Sequence, residues 1–138
     1  MTARVGIDLV AVDSVRESLD DHAERYLERV FTAQEVRDSR RGASVDPQRL
    51  AARFAAKEAA LKVLRPGAEG VPWTAIEVRR DVDGSVALEL SGTAAMLAAT
   101  AGLSGFVLSI THEGGYAAAV VLADEDLSIA ADRPIMKA

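Results

Sequence analysis

One segment decides most of what this chain can fold into: a helix-length run, from Asp46-Pro47 to Pro66-Gly67, whose apolar side carries a lysine. Asp46 suits the N-cap and Pro47 the first helical position, while Pro66-Gly67 stops the helix after about Leu64. At about 100° per residue, Leu50, Phe54, Leu61 and Leu64 share an arc of roughly 80°. Lys57 lies inside that arc, Arg53 borders it on one side, and Glu58 and Lys62 lie toward the other. On one reading Lys57 snorkels to solvent and Glu58–Lys62 is an exposed i,i+4 pair. On the other, the helix lines a cleft.

Asp8 favours the cleft. Val5, Ile7, Leu9 and Val10 read as a buried strand over residues 4–12, and Asp8 interrupts it. An unpaired buried carboxylate is costly, so Asp8 needs a cation. A helix packed on the strand could bring a second carboxylate to share one. Two carboxylates, completed by waters and substrate phosphates, are the usual way of holding Mg²⁺. Arg53, Lys57 and Lys62 would then be the natural clamp for those phosphates.

The remaining pattern is α+β. Asp13 or Ser14 caps a helix to about Leu19, a second helical stretch continues to Val30, and Thr32 with Glu35 forms a capping box. Residues 39–46 read as a loop. Residues 75–80 and 86–90 form a hairpin about Asp83-Gly84, residues 92–101 form a helix, and strands at 106–111 and 116–122 are joined across His112-Glu113-Gly114-Gly115. The 138 residues suit one domain, placed at residues 1–123, with residues 124–138 a tail to which no role is assigned.

Composition narrows the function. A net charge of -5 and 4% aromatics argue against nucleic acid as a partner. The absence of cysteine removes disulfides, thiolate zinc sites and thioester chemistry, and fits a reducing cytoplasm. No apolar run reaches the length of a membrane span, so a cytoplasmic protein is expected.

The chain resembles the holo-acyl-carrier-protein synthase family, the small bacterial 4′-phosphopantetheinyl transferases. The matching residues are Gly6-Ile7-Asp8, Phe31-Thr32-x-x-Glu35, Arg53-Phe54-Ala55-Ala56-Lys57-Glu58-Ala59 with Lys62, and Ser109-Ile110-Thr111-His112 followed by Tyr116-Ala117-Ala118-Ala119. They span residues 4–123 in family order. The resemblance implies one long motif helix packed on a small, mostly antiparallel sheet, in a homotrimer with coenzyme A at each subunit boundary. It implies that a serine of an acyl carrier protein attacks the β-phosphate of coenzyme A, releasing adenosine 3′,5′-bisphosphate. It makes Asp8 and Glu58 the Mg²⁺ ligands and Lys62 the group that meets the leaving phosphate. It implies that Arg53, Lys57, Lys62, Ser109, Thr111 and His112 contact coenzyme A. Glu58, a metal-bound hydroxide and His112 all remain candidates for the serine's base.

Ser14 stands where this family usually carries an arginine on the helix that meets the carrier, which implies preference for a dedicated carrier domain over the generic fatty-acid one. RPGAEGVPW replaces the family's usual Gly-Thr-Gly turn. Two rival functions are a catalytically silent trimeric protein that binds coenzyme A or the carrier, and a Mg²⁺-dependent nucleotide phosphohydrolase.

Overall fold

A computed structural model describes residues 2–68 and 70–131. Strand β1 (Thr2–Ala11) leads directly into helix α1 (Val12–Val30), which breaks at His22 (φ -147°, ψ 44°). The two expected helical stretches are the halves of this kinked helix. Its N-cap is Ala11, without a side-chain bond, so neither Asp13 nor Ser14 caps it. Thr32 and Glu35 do form the capping box that opens α2 (Ala33–Asp38). The expected loop at 39–46 contains a miniature hairpin, β2 (Arg40–Arg41) with β3 (Ser44–Val45).

Helix α3 (Pro47–Leu64) begins and ends as its sequence dictates. Asp46 accepts from the Gln48 amide at 2.9 Å, and Arg65, held ahead of Pro66, turns left-handed at φ 51°. With 18 residues it is the longest unbroken helix among the described residues, since the 19-residue α1 is interrupted at His22. A 3₁₀ turn (Trp73–Ala75) then leads into β4 (Ile76–Arg80), β5 (Val86–Leu90), α4 (Gly92–Thr100), β6 (Leu103–Glu113), β7 (Tyr116–Glu125) and α5 (Leu127–Ala131). The strand β7 thus continues past Ala123, pairing Glu125 with Thr2, and α5 lies in the segment read as tail. Residues 132–138 lie outside the described residues. No described helix is long and apolar enough to cross a membrane.

The main sheet is antiparallel with order β1-β7-β6, and the β4–β5 hairpin forms a separate two-stranded sheet. Helix α3 packs across the main sheet on a stripe of buried alanines, Ala51, Ala52, Ala55, Ala56, Ala59 and Ala60. Small side chains let the helix backbone approach closely. At Gly6 the approach is closest: a Cβ there would lie 2.1 Å from the Ala59 carbonyl oxygen and 3.1 Å from Lys62 Cβ. The glycine of Gly-Ile-Asp is therefore what lets the strand and the helix meet beside Asp8.

Only one face of β1 is covered. Val10 is buried, but Val5, Ile7 and Leu9 are 63–65% exposed on the opposite face, correcting the reading of a wholly buried strand. The alternation of a strand puts successive side chains on opposite faces, and α3 covers only the face that carries Gly6 and Asp8.

Gly6→Ala is expected to lower stability by about 1–3 kcal/mol through overpacking against the Ala59 carbonyl. A shift in the urea unfolding midpoint measures it; an unchanged midpoint would mean that α3 can move aside freely.

Candidate active site

Asp8 leaves the sheet on the face covered by α3. Lys62 Nζ reaches Asp8 Oδ1 at 3.2 Å and also donates to the Ile7 carbonyl at 2.7 Å. Glu58 lies one turn before Lys62, half-buried on the same helix. Burial, and next the Asp8 charge, raise its pKa above the ordinary carboxylate value, with Lys62 opposing the rise. Lys62 pairs with Asp8 and acts on Glu58 only through its field, so the two carboxylates outnumber the one ammonium.

That donor set fits a hard divalent cation. Asp8 and Glu58 offer oxygen ligands from two different elements, and a cation between them would relieve the repulsion that raises Glu58. Among the described residues no cluster of three or more His, Cys, Asp or Glu side chains is arranged to hold a metal. Water or substrate oxygens would have to complete the shell.

Lys57 does not belong to a phosphate clamp, contrary to the expectation. It is fully buried, and Nζ bonds Glu35 Oε1 at 2.7 Å, the Trp73 carbonyl at 2.9 Å and the Ile76 carbonyl at 2.5 Å. An ammonium has three protons to donate, and all three are engaged. Burial lowers its pKa, opposed by the Glu35 carboxylate. Snorkelling is overturned by the same contacts.

Arg53 faces elsewhere. It lies nine residues before Lys62, so the two side chains leave α3 on opposite sides, about 180° apart. Arg53 shares a cleft of about 470 Å³ with Arg41, Arg49, Arg80 and His112. It is only 6% exposed; Nη1 donates to the Arg49 carbonyl at 3.1 Å, while the buried Nε has no partner. Burial, first among several causes, lowers its pKa. Asp46 lies in the same cleft, 3.9 Å from Arg41 and 3.8 Å from Arg49, which leaves the free Arg53 donor and Arg80 as the positive charge an anion could meet there.

The strand carrying Ser109, Thr111 and His112 splits them between environments. Ser109 and Thr111 are exposed on the outer face beside Ile7, away from both Asp8 and Arg53 of the same protomer. Ile110 and His112 line the arginine cleft. Thus Asp8, Glu58 and Lys62 come together, Arg53 and His112 come together, and α3 stands between the two groups.

Several participants escaped the sequence reading. Glu35 was credited with its capping box and a place in the family match, yet it is fully buried and is the partner of Lys57. Arg41, Arg49 and Arg80 lie on three separate elements, and nothing in their spacing marks a common cleft. The one available signal was the charge density at 40–53.

Residues 4–121 match the model of the 4′-phosphopantetheinyl transferase superfamily. The chain is 42% identical over 124 residues to the holo-[acyl-carrier-protein] synthase of Salinispora arenicola, covering 90% of this chain and 99% of that one. It is 39% identical over 123 residues to the holo-[acyl-carrier-protein] synthase of Desulforudis audaxviator, covering 89% and 93%. Its fold is similar to that of the Chronobacterium ammoniagenes ACPS–CoA complex, with TM-score 0.80, 34% identity, and coverage of 91% of this chain and 99% of that one.

In metal-free protein, Glu58 is expected to titrate above its ordinary value of 4.5. Asp8→Asn removes a like charge and should move that pKa down, as should added Mg²⁺. Carboxyl carbon NMR across a pH series reads both. A Glu58 pKa that ignores both changes would separate the two carboxylates.

Proposed function

The chain belongs to the 4′-phosphopantetheinyl transferase superfamily, and from that membership we propose that it moves 4′-phosphopantetheine from coenzyme A to a serine of an acyl carrier protein. The observation that carries this reading is the Asp8–Lys62–Glu58 cluster, held where Gly6 lets β1 meet α3. The serine Oγ forms a bond to the β-phosphorus, the bond to the adenosine 3′,5′-bisphosphate oxygen breaks, and the serine proton passes to a base. Mg²⁺ held by Asp8 and Glu58 would, when bound, neutralise the pyrophosphate and offset negative charge developing there. Lys62, more than half exposed beside Asp8, orients that carboxylate and presents positive charge to the departing phosphate. Glu58 and His112 both stand as candidates to receive the serine proton, and His112 would also contact the substrate.

The arginine cleft supplies the second half of the binding site. Coenzyme A carries phosphates at both ends of its nucleotide, and Arg53 with His112 would hold one of them. Because α3 separates this cleft from Asp8, we assign the two halves of each coenzyme A site to neighbouring copies in a homotrimer. The exposed sheet face supports such packing: Val5, Ile7, Leu9 and Val107 are 59–65% exposed and contiguous with Ser109 and Thr111. In a trimer those two hydroxyls would lie at the boundary. The cytoplasmic location expected from the sequence stays within this proposal.

For the carrier, Ser14 is exposed on α1 and Arg16 is paired with Asp13 at 2.8 Å. Arg25 and Arg29 are exposed on the same helix but stand among Asp20, Asp21, Glu24 and Glu28, and that dilution supports selectivity for a dedicated carrier domain over a generic acidic carrier.

Incubation with coenzyme A, Mg²⁺ and an apo carrier should add one phosphopantetheine mass to the carrier. Phosphate release without that mass would instead indicate hydrolysis, and neither product would indicate a binding protein. Asp8→Ala and Glu58→Ala are each expected to lower kcat by at least about 10²-fold with circular dichroism unchanged. Lys62→Ala should lower kcat far more than it raises KM for coenzyme A; a loss confined to KM would make Lys62 a binding residue only.

Light scattering should give the mass of three 14.6 kDa chains, and Ile7→Asp should reduce it toward one. A monomer that retains transfer activity would contradict the shared site.

A further inference from the structure

We infer that Glu35 and Lys57 are positioning residues that set the spacing of the arginine cleft by acting as a surrogate strand on the free edge of β4. The inference rests on the reading of that cleft as a coenzyme A phosphate site. Glu35 Oε2 accepts from the Val78 amide at 2.9 Å, and Lys57 Nζ donates to the Ile76 carbonyl at 2.5 Å. In an antiparallel pair, the amide and carbonyl of one residue point to the same side, and those of residues two apart share that side. The Val78 amide and Ile76 carbonyl therefore point away from β5, toward the edge where a third strand would pair. Two side chains occupy that place, one accepting and one donating.

The consequence for the cleft is geometric. The β4–β5 hairpin has no strand pairing to the main sheet, so its position is not fixed by a backbone ladder. It nevertheless supplies Val78, Arg80, Gly84 and Val86 to a cleft whose opposite wall is Arg49 and Arg53 of α3. Lys57 stands one turn after Arg53 on α3, and Val78 stands two residues before Arg80 on β4. The bonds of Glu35 and Lys57 thus tie the two walls together behind the arginines, without either residue reaching the cleft. Glu35 also accepts from the Thr32 amide at 2.9 Å, which fixes its own carboxylate.

The test uses full-length protein and steady-state transfer. Glu35→Gln keeps the side-chain volume and an oxygen for Lys57, but turns an amide donor toward the Val78 N–H. It is expected to raise KM for coenzyme A about tenfold with kcat within about twofold of wild type. In an Arg53→Ala background the same change should raise KM by less than about twofold, because the wall it positions is already lost. An unchanged KM, a fall confined to kcat, or full additivity with Arg53→Ala would overturn the assignment. Should Glu35→Gln fail to fold, the Glu35→Gln/Lys57→Gln double variant leaves no buried charge unpaired, and the same KM and kcat outcomes decide. Wild-type protein that transfers no phosphopantetheine would overturn the underlying reading. Wild-type transfer with an unaltered KM in the variants would overturn the positioning role alone.

Discussion

The ion pair between Glu35 and Lys57 is the contact on which the rest of the structure depends. Both side chains are fully buried, 2.7 Å apart, and together they tie α2, α3, the turn after Pro72 and β4. Desolvating two charges is expensive, and such a pair is tolerable only when the remaining hydrogen-bonding capacity is also met. Here it is met by the Thr32 and Val78 amides and by the Trp73 and Ile76 carbonyls. Removing one partner of such a pair typically costs about 3–5 kcal/mol, a large share of the roughly 5–15 kcal/mol that holds a domain folded. A core otherwise built largely of alanine and valine gains from this contact a fixed register that interchangeable small side chains cannot supply.

Much of this was legible in the residues, and the part that was not has a common physical cause. Asp46-Pro47, the Thr32–Glu35 box and the Asp83-Gly84 hairpin are local signals, satisfied within a few residues, and they stand in the structure where their chemistry puts them. The position of Lys57 inside the apolar arc was legible too. Its partner was not, because Glu35 already had a local role that explained its presence. Likewise β1 and β6 were read as strands, but not which of their faces was covered. That depends on where α3 lies, and α3 lies where Gly6 admits its backbone. Ser109 and Thr111 were grouped with His112 through the family resemblance, and the middle of that run alternates across the strand. The structure does bring Lys62 to Asp8 at 3.2 Å, with Glu58 one helix turn before it.

The same helix that builds each half of the site also keeps the halves apart. Lys62 and Arg53 leave α3 in opposite directions, and the outward sheet face is apolar where a lone protomer would have no use for it. Both features make sense if a neighbouring copy brings its arginine cleft to the Asp8 cluster of the next, in a closed ring whose interfaces are identical.

Mixing two impaired variants tests this most directly. Glu58→Ala spoils the carboxylate half and Arg53→Ala the cleft half; after unfolding, mixing and refolding together, about one quarter of the boundaries in randomly assembled rings carry both intact halves. Transfer activity should rise to about one quarter of the wild-type value at a coenzyme A concentration near the wild-type KM. Activity that stays at the mean of the two variants alone would show that each protomer builds its site by itself.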